Sequence, residues 1–121
     1  MRKLLTSTAS AMLILAAGII AADAHVLLDH ADPRVGNTVK SPHAVSLWFT
    51  QNLESGFSTI EVLDANGTPV QTGKAVVDGS DRKLLRVQLK TLPAGTYRVN
   101  WRVLSVDTHT TEGNFTFQVS P

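Results

Sequence analysis

The chain has 121 residues, contains no cysteine and carries a formal net charge of +1 at neutral pH. This length predicts one domain, and the absence of cysteine excludes disulfides, thiolate metal sites and cysteine nucleophiles. The near-neutral charge, without a basic cluster, gives no electrostatic basis for binding nucleic acid or an anionic membrane surface.

The N-terminus has the pattern of an export signal. Two basic residues at positions 2–3 precede an apolar run at 11–22, and alanines occupy the two positions that a signal peptidase recognises. The run is shorter than a transmembrane helix requires and no stop-transfer pattern follows it, although an uncleaved anchor is the alternative. The sequence predicts a secretory signal peptide at 1–24, cleaved after Ala24, and a mature domain at 25–121 with nine basic and nine acidic residues.

Alternating apolar and polar residues dominate the mature segment, and turn-forming residues separate the runs. In chain order the runs are SLWFTQ from Ser46, STIEVL from Ser58, LLRVQL from Leu84, TYRVNWRV from Thr96 and NFTFQV from Asn114. The period of two predicts strands, and Asn66-Gly67 after the second run predicts a hairpin turn. About seven short strands without a helical period predict an all-β, Greek-key, immunoglobulin-like sandwich, with a closed barrel as the alternative.

Motifs for nucleophilic or acid–base catalysis are missing from the sequence. No serine lies in a nucleophile-elbow pattern, and no glycine-rich loop has the spacing that binds phosphate. The acidic pairs Asp29 and Asp32, and Glu54 and Glu61, are typical of turns and solvated faces on a domain of balanced charge. We therefore predict that the protein is not an enzyme.

Four histidines are the residues most informative about chemistry: His25, His30, His43 and His109. His30 and His43 are predicted to lie on the surface. His109 follows Asp107 by two positions, so the two side chains share a face if the preceding strand continues through them. A carboxylate beside an imidazole is half of a metal site, and a simple Asp–His hydrogen bond at a strand end is the alternative.

His25 strengthens the metal-site hypothesis for Asp107 and His109, because cleavage after Ala24 would make His25 the N-terminal residue. A terminal histidine chelates through its amine and its ring Nδ1, and His109 and Asp107 would add a third nitrogen and an oxygen. A tetragonal set of nitrogen and oxygen donors suits Cu(II), whereas Zn(II) prefers a tetrahedral set and Ca²⁺ or Mg²⁺ more oxygens. The sequence spacing does not establish that the two segments meet.

Three stretches carry a resemblance to a known family: ADPRVGNTV at 31–39, SPHAVSLWFTQNLESGF at 41–57 and LPAGTYRVNWRVLSVDTHTTEGNFTFQV at 92–119. The mature chain resembles the CopC-type periplasmic copper-binding proteins (the CopC/PcoC/YobA group). The resemblance implies a cupredoxin-like or immunoglobulin-like Greek-key fold. It also implies a Cu(II) ion, one per chain, held by His25, Asp107 and His109. A CopD-like inner-membrane protein would be the partner of a monomeric, periplasmic carrier.

The chain departs from the family pattern at three points. Methionine is absent after residue 24, so we expect none of the methionine-lined Cu(I) sites that some members have. Leu27 stands where many members have a second histidine, and Gln51 stands where an acidic residue is frequent. Whether Gln51, His30 or His43 assists the site is left open.

Three functions remain as hypotheses from the sequence. The first is a periplasmic Cu(II) carrier or buffer that acts in copper homeostasis and resistance without turnover. The second is a copper monooxygenase with a histidine brace, for which 97 residues with short connections leave little substrate-binding surface. The third is a metal-free immunoglobulin-like interaction module that uses aromatic residues such as Trp48 and Tyr97.

Overall fold

The computed structural model describes residues 26–121 of the chain, and both the predicted signal peptide and His25 lie outside this part. The described residues form β1 (Leu28–Asp32), β2 (Thr38–Val39), β3 (Ala44–Phe49), β4 (Thr59–Leu63), β5 (Val76–Val77), β6 (Leu84–Gln88), β7 (Gly95–Leu104) and β8 (Thr110–Val119). Within residues 26–121, no helix is long and apolar enough to cross a membrane. The all-β prediction is confirmed, with eight strands because two-residue strands β2 and β5 join the longer ones.

The strands form two four-stranded sheets. The first sheet has the order β1-β3-β6-β5 and the second has the order β2-β8-β7-β4. All neighbours are antiparallel except β2 and β8. The chain crosses between the sheets after β1, β2, β3, β4 and β6, which is the connectivity of a Greek-key sandwich. The sandwich, rather than the closed barrel, is therefore the architecture.

The core lies between the two sheets, and the alternation in sequence defines it. On β3 and β6 of the first sheet, Val45, Leu47, Leu85 and Val87 are at most 1% exposed. The second sheet contributes the buried residues Ile60, Val62, Tyr97, Val99, Val103, Phe115, Phe117 and Val119. Because successive strand residues point to opposite faces, one apolar row per strand suffices to cover the partner sheet.

Tyr97 closes the loop that leads into β7. Its ring is buried, it stacks on Phe117 with ring centroids 5.6 Å apart, and its hydroxyl donates a hydrogen bond of 2.7 Å to the carbonyl of Pro93. A tyrosine near a strand start that bonds back to the upstream backbone is the tyrosine corner of Greek-key sandwiches. Burial, and secondarily the charge of Asp64, raises the pKa of Tyr97.

We expect Tyr97→Phe to lower the free energy of unfolding by about 1 kcal/mol, because the Pro93 carbonyl loses its donor. The hydrogen bond requires the protonated phenol, and the pKa of Tyr97 is raised in the folded state. The difference between wild type and variant is therefore complete below about pH 10 and disappears as the pH rises through the raised pKa. Urea unfolding across this range measures it, and a difference that is independent of pH would contradict the account.

Trp101 of β7 and Gly113 of β8 lie in close contact near the loop end of the β7–β8 hairpin. The two residues are paired in register, and a Cβ added to Gly113 would lie 2.5 Å from Cζ2 of Trp101. The indole also contacts Phe49 of the first sheet edge-on, with ring centroids 5.1 Å apart and an interplanar angle of 70°. The indole therefore occupies the space above the glycine and joins the two sheets.

We expect Gly113→Ala to destabilise the fold by about 1–3 kcal/mol, because the added methyl group overlaps the indole. The matched control is Gly73→Ala, at a glycine with an ordinary backbone conformation and open space around the added Cβ. This control should be neutral or slightly stabilising, since alanine restricts the unfolded chain. Chemical denaturation followed by tryptophan fluorescence compares the two, and equal effects would contradict the proposed overlap.

Candidate metal centre

Asp107 and His109 lie in the loop of the β7–β8 hairpin, not on a strand. The ladder between these strands runs from Gly95–Val119 to Leu104–Thr110, and residues 105–109 connect them. The strand therefore does not continue through both residues, which was the condition for placing their side chains on one strand face. Their proximity is right: His109 Nδ1 lies 4.0 Å from Asp107 Oδ2, and each side chain is about half exposed, at 49% and 48%.

Ser105 determines the shape of this loop. It is fully buried and pairs with Leu53 in an isolated bridge. Its amide donates to the carbonyl of His109 at 2.9 Å, and its hydroxyl accepts from the amide of His109 at 3.2 Å and donates to Asp107 Oδ1 at 3.3 Å. Sequence reasoning missed Ser105, although a small polar residue directly after an apolar strand is the kind of residue that organises a turn.

Thr108 has a left-handed backbone with φ of 70°. A β-branched residue rarely adopts this conformation, which costs roughly 1–2 kcal/mol. The amide of Thr108 donates to the carbonyl of Ser105 at 2.9 Å, so the chain reverses between Asp107 and His109. This reversal, rather than strand pleating, brings the carboxylate and the imidazole to one side of the loop.

The first described residues, Val26 and Leu27, are fastened beside this loop. The side chain of Val26 is fully buried, and its carbonyl accepts a hydrogen bond of 2.8 Å from the hydroxyl of Thr111. The amide of Leu27 donates to Thr50 Oγ1, and the amide of Thr50 donates to the carbonyl of Leu27, both at 2.9 Å. Thr111 follows His109 by two residues. We call Val26, Leu27, Thr50 and Thr111 the N-terminal clasp.

The segment after β3 connects the clasp to the loop. Thr50 pairs with Leu27, and two residues later the carbonyl of Asn52 accepts from the amide of Val106 at 3.0 Å. Gln51, which the sequence analysis considered as an assisting residue, is half-buried between these two positions. The backbone of Gln51 is therefore held between the N-terminal segment and the Asp107–His109 loop.

His30 and His43 lie on the surface, as predicted, and neither joins the loop. His30 is on β1, where its ring stacks on Trp48 with centroids 4.4 Å apart, and its Nδ1 lies 2.6 Å from Asp29 Oδ2. His43 is exposed and precedes β3, whereas Thr50 follows it. The length of β3 separates His43 from the loop by roughly 20 Å, at about 3.3 Å per residue.

Asp107 and His109 offer one oxygen and one nitrogen donor to a metal ion. Two donors that each lie about 2.0–2.2 Å from one ion can be up to roughly 4 Å apart, so the observed 4.0 Å is compatible with shared ligation. Within residues 26–121 there is no cluster of three or more histidine, cysteine or acidic side chains that would hold a metal. The described residues therefore supply an incomplete donor pair, and His25 lies outside them.

Comparison with known proteins covers almost the whole described part. A family model described as the CopC domain matches residues 28–120. The chain is 38% identical over 98 residues to protein YobA of Escherichia coli K12, covering 79% of each. It is 35% identical over 103 residues to copper resistance protein C of Escherichia coli, covering 79% of this chain and 82% of that protein. It is also 32% identical over 98 residues to copper transport protein CutJ of Bacillus subtilis, covering 79% of this chain but only 18% of CutJ.

Solved structures of CopC and PcoC are also similar to this chain. The structure of CopC from Methylosinus trichosporium OB3b is similar with a TM-score of 0.75 and 35% identity, covering 80% of this chain and 95% of that one. PcoC of Escherichia coli, described as a methionine-rich copper resistance protein, is similar with a TM-score of 0.71 and 36% identity, covering 80% of this chain and all of PcoC. The family match over 28–120 and these relatives place the protein: it belongs to the CopC family.

Proposed function

We propose that the protein is a periplasmic copper carrier whose mature chain begins at His25 and holds one Cu(II) through His25, Asp107 and His109. The observation that carries this proposal is the hydrogen bond of 2.8 Å from Thr111 to the carbonyl of Val26. It fixes Val26, the residue after His25, beside Thr111, which follows His109 by two residues. Consecutive Cα atoms are about 3.8 Å apart, so the donors of His25 are within reach of the Asp107–His109 loop.

The donor chemistry favours Cu(II) over other ions. The amine and Nδ1 of His25 and the imidazole of His109 give three nitrogens, and Asp107 adds a carboxylate oxygen. Cu(II) binds such sets most strongly among the divalent first-row metals. Cu(I) prefers thiolate and thioether ligands, and the only methionines of the chain are Met1 and Met12, inside the proposed signal peptide. The proposed cargo is therefore Cu(II) alone.

The exposure of the donors supports a carrier rather than an enzyme. The side chains of Asp107 and His109 are 48% and 49% exposed, on a loop at the end of the sandwich. A surface site allows a second protein to approach and take the ion, and Asp107 would fill a position that oxygen chemistry needs open. We therefore propose transfer or buffering of copper without turnover.

The partner we propose is a CopD-like protein of the inner membrane. Support comes from CutJ, a copper transport protein of which this chain covers only 18%, so that a CopC-like segment is one part of a longer protein there. In this chain, three exposed apolar side chains lie in segments that flank or contact the Asp107–His109 loop: Leu27, Phe57 and Val106 are 58%, 67% and 44% exposed. Exposed apolar side chains near the proposed copper site of a monomer would suit transient contact with a transporter.

Removal of the loop donors tests the site. We expect His109→Ala to weaken Cu(II) binding by at least about 100-fold, because an inner ligand contributes more than the residues that orient it. Asp107→Asn should weaken it less, since a neutral oxygen donor remains. The matched control is His43→Ala, which removes an exposed imidazole at the other end of β3. Competition titration with a copper indicator measures all four proteins, and wild-type affinity in His109→Ala would refute the site.

The free N-terminus is tested by one added residue. We expect a glycine placed before His25 to lower Cu(II) affinity by orders of magnitude, because the amine becomes an amide and leaves the chelate. The control carries the same glycine after Pro121, which preserves composition and the N-terminal amine. Titration followed through the visible absorption of bound Cu(II) compares them. Equal affinities would show that the amine is not a ligand, whereas the fold should be unchanged in both.

A further inference from the structure

We propose that Thr111 is a positioning residue for copper, assisted by Thr50: their hydrogen bonds hold Val26 and Leu27, which directly follow His25, in place before the ion arrives. This inference rests on the proposed function. Three successive backbone groups are engaged, namely the Val26 carbonyl, the Leu27 amide and the Leu27 carbonyl. These bonds precede β1, which begins at Leu28, so they are not part of the ladder of the first sheet.

The position of Thr111 on β8 supports a role for its hydroxyl in fastening the N-terminal segment. Thr111 lies in the inward row of β8, which continues through Gly113 to the buried residues Phe115 and Phe117. Valine would fit such a row and would not bring a polar atom into it, because a hydroxyl away from water requires a partner. The partner is the Val26 carbonyl, 85 residues away in sequence. The threonine therefore fastens the N-terminal segment rather than filling the core.

The clasp joins both sheets at the proposed copper site. Thr50 follows β3 of the first sheet, and Thr111 belongs to β8 of the second. Between them, the Val26 side chain is fully buried and prevents the segment from sliding along its axis. A chelating residue whose chain neighbours are already held loses less conformational freedom on binding than one at the end of a loose segment would.

The expected consequence is a loss of copper affinity without a loss of fold. Thr111→Val keeps the shape of the side chain and removes the hydrogen-bond donor. We expect about tenfold weaker Cu(II) binding, because this factor corresponds to the conformational entropy lost when one residue is ordered. Thr111→Ser restores the hydroxyl and should return the affinity to within about twofold of wild type. The matched control is Thr116→Val, which makes the same change at an exposed position of β8.

Two measurements on the mature protein beginning at His25 test the inference. Competition titration gives the Cu(II) affinity of the wild type and the three variants. Amide hydrogen exchange and ¹⁵N relaxation of Leu27 in the metal-free proteins report directly on the clasp. We expect faster exchange and a lower order parameter at Leu27 in Thr111→Val alone. Thermal unfolding confirms that each variant is folded at the temperature used.

The outcomes separate this inference from the proposed function. Wild-type protein that binds Cu(II), together with Thr111→Val of equal affinity, would overturn the positioning role and leave the copper site intact. Failure of Thr111→Ser to restore affinity would also overturn it, since the hydroxyl would not be the operative group. Wild-type protein that does not bind Cu(II) would overturn both proposals. Weaker binding together with a loosened Leu27 in Thr111→Val, both reversed in Thr111→Ser, is the result we expect.

Discussion

The ten-residue pairing of β7 with β8 is the constraint on which the rest of the structure depends. This ladder runs without interruption from Gly95–Val119 to Leu104–Thr110. Its inward row supplies Tyr97, Val99, Phe115 and Phe117 to the core, and its outer neighbours β4 and β2 complete the second sheet. Because the hairpin is long and continuously paired, its loop is held at one end of the sandwich. The same register positions both the Asp107–His109 pair and Thr111.

The sequence was most informative where one face of a strand is buried. The alternation at 47–49, 85–89, 97–103 and 115–119 predicted the core rows correctly, since a shift of one residue would place each row in water. Strands β2 and β5 have two residues each, too few for a period to be visible. In β1, a register shift between Leu28 and His30 interrupts the alternation.

The site was only partly predictable for a different physical reason. Asp107 and His109 were identified by residue type and spacing, but their shared face was predicted only for a strand that continues through them. It ends at Leu104 because Ser105 is buried against Leu53 and turns the chain through hydrogen bonds to His109. Thr111 and Thr50 act through contacts 85 and 23 residues apart, and no local pattern in one sequence encodes such pairings.

The central claim is that copper is held by the N-terminal residue of the mature chain together with the hairpin loop. The most direct measurement is the electron paramagnetic resonance spectrum of mature protein beginning at His25 and loaded with Cu(II). The account predicts one bound ion per chain, tetragonal parameters and hyperfine coupling to three nitrogens, two from His25 and one from His109. A spectrum of loosely bound copper with one nitrogen or none in the coordination plane would contradict it.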